Sequence, residues 1–390
     1  MSSPRLEAHP DDEAGWSSRR RFVAAASLSA VPAAVVPPLR GAAAADDGDD
    51  APLIVPLRYA PSISAYVLSY SVGGSTFSAI VDTGSPFLLV PSYCPEVLKW
   101  GCYDPSSSRP SGLAPTYEQF SSNEGRVEWR IAPFSFLTVD ASTGRTGPLD
   151  PALFPGDLTF GVASESLMDG PGGIFLGLVR DTSSRIRPSF LGQTEVSAFA
   201  IDLRPGARNG GRHLALSRRS GRDWISGDSI PLVRDLTTRY GDPTVHYVAV
   251  ADSLSVNGFP LGQDPPVGGG ASSRMGERKA KEKKKKKTYV IFDTGCSGME
   301  ISPDLYDERY GAARANREKS LWGRVEVSFA TERGGTVTLG ADRPLTTPFG
   351  TDRPWKRRFD DAHLVIIGLA FLDGKRLSVD IDGQKLWVED

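Results

Sequence analysis

Two aspartates in this sequence stand in nearly the same short phrase and could act together as a pair of carboxylates. Asp82 lies in the phrase SAIVDTGS and Asp293 in the phrase YVIFDTGC, so each aspartate closes an apolar run and precedes Thr–Gly. Two carboxylates about 3 Å apart cannot both ionise, and they therefore share one proton. One carboxylate can then take a proton from a water molecule while the other, protonated, hydrogen-bonds a carbonyl oxygen. The pair predicts acid–base hydrolysis without a covalent intermediate.

The repetition of the phrase is the feature that a local turn does not explain. A single Asp–Thr–Gly is a weak signal, because Asp commonly forms turns at strand ends by bonding local backbone N–H groups. Two copies favour two loops that meet across a pseudo-twofold axis and bring the aspartates together. Glycine lets such loops approach with no side chain between them, and the threonine hydroxyls can hold the opposite loop. The residues expected to support the loops are Thr83, Gly84, Ser85, Thr294, Gly295 and Cys296.

Short β-strands must position these loops. The chain has 390 residues, enough for two packed lobes with separate cores, and its 41 Gly and 30 Pro indicate many turns. Apolar or alternating runs such as AYVLSYSVGG, RVEWRIAPFSFLTV and LSVDIDGQKLWV are mostly closed by Gly, Asn or Asp. Helical periodicity is scarce, and we predict one helix at 303–317 with Ser302 as its N-cap. The fold class predicted from this pattern is all-β.

The charge distribution separates one basic segment from an acidic remainder. The formal net charge is −2, but residues 274–287 contain nine Arg/Lys and two Glu, a balance of +7 that leaves −9 for the rest. Residues 264–287 are of low complexity, and we predict a disordered, solvated insertion there. An acidic body with one basic loop lacks the positive face that nucleic-acid binding requires.

No motif for a cofactor or a metal accompanies the aspartates. The four histidines fall at no metal-binding spacing. No phosphate-binding or dinucleotide fingerprint precedes a predicted helix. We therefore expect neither a cofactor nor a metal.

The first 50 residues have the order of an export signal rather than of a folded domain. Arg19–Arg21 precede a weakly apolar Ala/Val stretch, and small residues at 42–45 precede acidic ones, as at a cleavage site. The apolar part is short and broken by prolines, so we expect no retained membrane span. The arginines resemble a twin-arginine signal. This favours the thylakoid lumen of a plastid, with the secretory pathway or the extracellular space as the alternative.

Further phrases resemble the pepsin-like aspartic peptidase family over about residues 52–390. GGIFLGL (172–178) resembles the family segment that runs behind the first active-site loop, and HLVIIGLAFLDGKRLSVDIDGQKLWV (363–388) resembles its counterpart and the closing strands. The resemblance implies two all-β lobes, 51–220 and 221–390, with a cleft between them. It also implies a monomer that acts on polypeptides through the two aspartates.

A small disulfide loop is also implied by the resemblance. VPSYCPEVLKWGC (90–102) resembles the family's stretch that carries such a loop. Together with the export signal, it predicts a disulfide between Cys94 and Cys102 in an oxidising compartment. Cys296 is then left unpaired.

The sequence departs from the family pattern around the cleft. Leu89 stands where the family usually has Trp, and Leu369 where an acid is frequent, while Cys296 replaces a hydroxyl residue. The mobile hairpin over the site is predicted at YEQFSSNEGRVEW (117–129), with Phe120 in the place of its tyrosine unless Tyr117 takes that place. An apolar pair of Leu89 and Phe120 is predicted to favour bulky apolar substrate side chains.

Two functions are compatible with these residues. The first is an exported aspartic endopeptidase that works at acidic pH; the second is a pepsin-fold protein that binds a peptide or protein without cutting it. Retention of both Asp–Thr–Gly phrases favours catalysis, because a binder needs neither carboxylate. The altered hairpin and Cys296 favour the binder.

Overall fold

The computed structural model describes the chain from residue 52 to residue 390, with gaps. The described ranges are 52–92, 100–120, 123–139, 146–148, 156–164, 174–181, 188–206, 211–220, 225, 227–262, 286–310, 323–348 and 361–390. Every described residue belongs to one compact unit, residues 38–390. The predicted export segment, residues 1–50, lies outside the described residues.

Short strands make up most of the regular structure. They are β1 (Leu53–Pro56), β2 (Arg58–Ala60), β3 (Ala65–Val72), β4 (Ser75–Asp82), β5 (Leu89–Pro91), β6 (Arg109–Pro110), β7 (Thr116–Phe120), β8 (Asn123–Val139), β9 (Thr146–Pro148), β10 (Asp157–Ala163), β11 (Phe175–Gly177), β12 (Ala198–Asp202), β13 (His213–Ser217), β14 (Ile230–Pro231), β15 (Val248–Ala251), β16 (Ser253–Val256), β17 (Phe259–Pro260), β18 (Lys287–Phe292), β19 (Met299–Ile301), β20 (Arg324–Ala330), β21 (Thr336–Asp342), β22 (Thr346–Pro348), β23 (Ala362–Ile367), β24 (Arg376–Asp380) and β25 (Lys385–Glu389). The α-helices in the described residues are α1 (Asp235–Tyr240), α2 (Pro303–Tyr310) and α3 (Leu369–Leu372). This balance confirms the all-β prediction.

The strand that carries Asp82 lies in the largest sheet, which has the order β11-β4-β3-β8-β10-β5. Strand β3 turns into β4 through Gly73–Gly74, whose φ angles of 58° and 84° suit glycine, and the two strands pair antiparallel. On its other side β4 pairs in parallel with β11, so that Gly177 lies opposite Asp82. Asp82 therefore ends a strand that is hydrogen-bonded on both edges.

The strand that leads to Asp293 has the same kind of surroundings in a second sheet, of order β15-β18-β23-β19-β22. The preceding strand β15 pairs antiparallel with β18, and the later strand β23 pairs with it in parallel. Ile367 lies opposite Phe292, and the backbone N–H of Asp293 donates to the carbonyl of Ile367 at 3.0 Å. Both aspartates thus follow a strand held between one antiparallel and one parallel neighbour.

Two further sheets complete the described structure. The first has the order β1-β13-β12-β24-β25-β14, so it joins strands from the beginning of the chain to its last two strands. The second has the order β17-β16-β20-β21. Because β12 pairs with β24 over five residues, a strand from the middle of the chain is held to one of its last two strands by backbone hydrogen bonds.

A hairpin forms where the sequence predicted one. Strand β7 pairs antiparallel with the start of β8, from Thr116 opposite Val127 to Phe120 opposite Asn123. Residues 121 and 122, at its tip, lie outside the described residues. The hairpin continues into the largest sheet, because β8 also pairs with β3 and β10.

Aromatic side chains fill much of the core. The largest fully buried side chains are Tyr70, Phe77, Phe87, Phe136, Phe160, Phe190, Phe199, Tyr289, Phe292, Phe329 and Phe371. Burying one such ring contributes about 1.5–3 kcal/mol. A separate cluster packs under the hairpin and consists of Phe87, Leu89, Val127, Trp129 and Ala163; we call it the hairpin cluster.

Two predicted boundaries differ from the structure. Lys287 begins β18 opposite Ala362, and Lys286 pairs with Asp304 at 3.0 Å, although both lysines were assigned to the insertion; residues 263–285 lie outside the described residues. Helix α2 begins at Pro303, but Ser302 does not cap it, because its hydroxyl exchanges hydrogen bonds with the backbone of Leu364. Among the described residues, the helices are all too short or too polar to cross a membrane.

Candidate active site

The two Asp–Thr–Gly loops lie against each other. A Cβ atom built on Gly84 would lie 2.4 Å from Asp293 Oδ2, and one built on Gly295 would lie 2.6 Å from Asp82 Oδ1. Such distances are far below van der Waals contact, so only glycine fits at either position. The absence of two side chains lets each carboxyl group lie directly against the opposite loop, close enough for the charge of Asp82 to raise the pKa of Asp293.

The two threonines hold the loops together by reciprocal hydrogen bonds. The hydroxyl of Thr83 donates to the carbonyl of Phe292 at 2.8 Å and accepts the backbone N–H of Thr294 at 3.0 Å. The hydroxyl of Thr294 donates to the carbonyl of Val81 at 2.7 Å and accepts the backbone N–H of Thr83 at 3.2 Å. Both threonines are buried, so these four bonds satisfy polar groups that water does not reach.

The two carboxylates receive unequal support from their own loops. Asp82 accepts the backbone N–H of Gly84 at 2.7 Å and also the hydroxyl of Ser85. Asp293 accepts the backbone N–H of Gly295 at 2.8 Å. At the position that matches Ser85 the chain has Cys296, whose sulfur makes no hydrogen bond to Asp293 within the described part of the chain.

The surroundings favour a proton on Asp293. Burial raises the pKa of this carboxyl well above its ordinary value; the negative charge of Asp82 and the hydrogen bond between the two groups raise it further, while the N–H of Gly295 opposes the shift. The arrangement therefore favours the protonated form of Asp293.

The thiol beside Asp293 is a neutral group. Burial raises the pKa of Cys296 far above its ordinary range, and electrostatic interaction with the acidic groups of Asp293 and Glu300 raises it further. The sulfur therefore remains a protonated thiol, which is a weak hydrogen-bond donor.

A glycine lies directly behind each loop. A Cβ atom on Gly177 would lie 2.4 Å from the carbonyl oxygen of Ser85, and one on Gly368 would lie 2.1 Å from that of Cys296. These glycines belong to the two segments, GGIFLGL and HLVIIGLAF, that the sequence placed behind the loops. The backbone of each loop is therefore in direct contact with a strand end that admits no side chain.

Two tyrosines, one in β3 and one just before β15, bond to the segments behind the opposite loops. Tyr247 precedes β15, and its hydroxyl donates to the carbonyl of Leu178 at 2.6 Å, directly after Gly177. Tyr66 in β3 donates its hydroxyl to the carboxylate of Asp373, at the end of α3. These contacts supplement the threonine bonds, and they fix the two segments relative to each other.

The hairpin residues predicted from the sequence occupy different surroundings. Tyr117 is 81% exposed, and Phe120 is the last residue of β7. Leu89 is 1% exposed and packs in the hairpin cluster against Trp129. Leu89 therefore lies beneath the hairpin rather than on an open surface.

Trp129 is the residue near the site that the sequence analysis missed. It is 3% exposed, and its ring lies edge-on to Phe87, with centroids 5.4 Å apart. Its indole N–H donates to the Thr116 hydroxyl at 3.2 Å. The alternation Val127–Trp129–Ile131, which begins within the predicted hairpin, was the available signal, because it places a tryptophan on the same face of β8 as Val127.

The predicted disulfide is not resolved by the described residues. Cys94 lies outside them, and Cys102 is half-buried, so the pairing stays a prediction. Within the described ranges no three His, Cys, Asp or Glu side chains are grouped so that they could hold a metal ion.

Comparison of the sequence with models of protein families and with characterised proteins gives no match. The functional argument for this chain therefore depends on its own residues and their geometry.

Proposed function

We propose that this protein is an aspartic endopeptidase of the pepsin-like type, with Asp82 and Asp293 as its catalytic pair. The observation that carries the proposal is the contact between the two loops, in which the reciprocal threonine bonds and the two glycines bring each carboxyl group against the opposite loop. A purely structural role does not require two acids held so close together, because each then disfavours the ionisation of the other.

The protonation of the pair assigns the two roles. Asp82, ionised and supported by Ser85, acts as the general base that takes a proton from the attacking water. Asp293, protonated, donates its proton to the oxygen of the scissile carbonyl as the tetrahedral diol forms. The negative charge of the pair is conserved, because Asp82 gains a proton as Asp293 loses one.

Collapse of the diol reverses these transfers. The proton that Asp82 took from water passes to the leaving amine nitrogen, and the C–N bond breaks as the carbonyl re-forms. Asp293 recovers a proton from the diol hydroxyl, so the pair returns to its starting state. No covalent intermediate forms, and the residues named here supply every proton transfer.

The proposal includes the arrangement around the pair. Two β lobes, 51–220 and 221–390, form a cleft for a polypeptide chain, with the hairpin of β7 and β8 over it. The parallel between the surroundings of Asp82 and those of Asp293 supports this two-lobed arrangement. An exported location, in the thylakoid lumen or the secretory pathway, fits the order of residues 1–50, and the enzyme acts as a monomer.

A cleavage assay tests the proposal. Wild type, Asp82→Asn and Asp293→Asn are incubated with a denatured protein at pH 4 to 6, with and without a pepstatin-type transition-state mimic, and products are identified by mass spectrometry. We expect cleavage by wild type only, inhibition by the mimic, and a loss of about 10²–10⁴-fold or more in each variant. Comparable cleavage by either variant would exclude the pair as the catalytic group.

Thermal unfolding controls for damage to the fold. Because the folded-state pKa of Asp293 is raised, the native protein binds more protons than the unfolded chain above pH about 4. Stability is therefore lost as pH rises through that window, and Asp293→Asn removes this loss. The variant should melt at a higher temperature than wild type near neutral pH and at a similar one below pH about 4.

A wild type that binds the mimic or a peptide but cuts nothing would instead be a binding protein.

A further inference from the structure

Trp129 connects three elements that surround the first aspartate. It lies on β8 opposite Gly161 of β10, beneath the hairpin of β7 and β8. Its ring packs against Phe87, and its indole N–H bonds to Thr116, the first residue of β7. One side chain therefore contacts both the base of the hairpin and the chain that leaves the Asp82 loop.

Phe87, which Trp129 contacts, is linked to the Asp82 loop through a single residue, Gly177. Phe87 follows Asp82 by five residues, and its carbonyl accepts the backbone N–H of Gly177 at 2.8 Å. Gly177 is the glycine that lies against the carbonyl oxygen of Ser85. A shift of Phe87 would therefore move the segment on which the loop rests.

Strand β10 leaves room for the Trp129 ring, because the residue opposite Trp129 is Gly161. A Cβ atom on Gly161 would lie 2.5 Å from Leu89 Cδ2, 2.5 Å from Val127 Cγ1 and 3.2 Å from Trp129 Cζ3. The space of a side chain on β10 is thus taken by three neighbours of the hairpin cluster. Close packing of this kind fixes the position of the ring rather than merely covering it.

The hydrogen bond to Thr116 fixes the orientation of the Trp129 ring relative to β7. Thr116 lies opposite Val127, two residues before Trp129 on β8, so the bond crosses the base of the hairpin diagonally. Beyond Thr116 the hairpin extends to Phe120 and Asn123. An orientation fixed at the base is carried along both strands by their ladder of backbone bonds.

We propose that Trp129 is a positioning residue, which fixes the hairpin of β7 and β8 relative to the Asp82 loop through Thr116 and Phe87. Its role in the reaction depends on the proposed function, since the hairpin would then cover a bound polypeptide.

Two single variants and their combination test the proposal. Trp129→Phe keeps an aromatic ring but removes the N–H, and Thr116→Val keeps the side-chain shape but removes the acceptor. Hydrogen exchange is measured on the resting protein at the amides of residues 116–120 and 123–127. We expect exchange about 2–10-fold faster in each single variant, in line with the loss of one hydrogen bond, and no further increase in the double variant.

Activity provides the second measurement. In the same variants kcat/KM for a peptide substrate should fall by about 2–10-fold, again without an additional loss in the double variant. Trp387→Phe is the matched control, because Trp387 is a buried tryptophan in β25, outside the hairpin cluster. It should change the melting temperature without changing kcat/KM or the exchange of the hairpin amides.

The outcomes separate this proposal from the proposed function. If wild type cuts no substrate but the hairpin amides respond as described, positioning of the hairpin is supported and the peptidase assignment is not. If hairpin exchange in Trp129→Phe and Thr116→Val equals that of wild type, or if their effects add in the double variant, the positioning role is overturned, whatever the activity.

Discussion

The loops of Asp82 and Asp293 have the same backbone arrangement and differ at one side chain. In both, a glycine lies against the opposite carboxylate, a threonine holds the opposite backbone, and a second glycine packs from behind. At the fourth position Ser85 donates to Asp82, whereas Cys296 donates nothing to Asp293. The comparison separates two tasks: the shared residues bring the carboxyl groups together, and the differing residue gives a side-chain hydrogen-bond donor to Asp82 alone.

Valine substitutions of the two threonines test whether the loops are equivalent, and they should have the largest effect on the free energy of unfolding. Thr83→Val leaves the carbonyl of Phe292 and the N–H of Thr294 without partners, and Thr294→Val does the same to Val81 and Thr83. Each buried group left unpaired costs about 1–3 kcal/mol, so both variants should lose about 2–6 kcal/mol of unfolding free energy. Denaturant unfolding measures this loss.

Serine is the matched control for both threonines, because Thr83→Ser and Thr294→Ser keep the hydroxyl. These variants should lose much less stability than the valine variants. A large loss in one valine variant and almost none in the other would show that the two loops are not held in equivalent ways.

The fourth position is tested next by removing its side-chain donor. Ser85→Ala removes a hydrogen bond to a charged carboxylate, worth about 1.5–3 kcal/mol, and one pKa unit corresponds to about 1.4 kcal/mol. The acid limb of the kcat/KM profile should therefore rise by about one pH unit or more. Cys296→Ala removes no such bond and should leave this limb in place. Equal shifts in the two variants would contradict the asymmetry.

The smallest expected effect comes from restoring a hydroxyl beside Asp293. Cys296→Thr provides a donor that favours the ionised form, so the apparent pKa of the pair should fall. Both limbs of the pH profile should move to lower pH by somewhat under one unit, as a gain of about 1 kcal/mol implies. A profile that overlays that of wild type would show that Cys296 only fills space.

The sequence was informative where the chemistry is local. Each Asp–Thr–Gly phrase is contiguous, and the strand before it follows from its apolar run. The glycine segments behind the loops and the hairpin of β7 and β8 were implied by the family resemblance. The contact between the loops themselves was a hypothesis from repetition alone, since residues about two hundred positions apart meet only through tertiary packing.

Trp129 shows why the remainder was harder to predict. Its partners Phe87, Thr116 and Gly161 lie on three different segments, and nothing in the spacing of these residues links them. The family pattern instead pairs Leu89 with Phe120. Ser302 illustrates the same limit, because a typical N-cap residue bonds to the neighbouring strand β23 instead of to its helix.

The most direct test of the shared proton is an NMR titration of the aspartate carboxyl carbons in wild type, Asp82→Asn and Asp293→Asn. For wild type the account predicts one titration well above the ordinary aspartate value of about 3.9, belonging to the pair. This titration should be absent from Asp293→Asn and should move to lower pH in Asp82→Asn, where the neighbouring charge is gone. A wild-type spectrum with no raised titration, or a raised titration that Asp82→Asn leaves unchanged, would contradict the account.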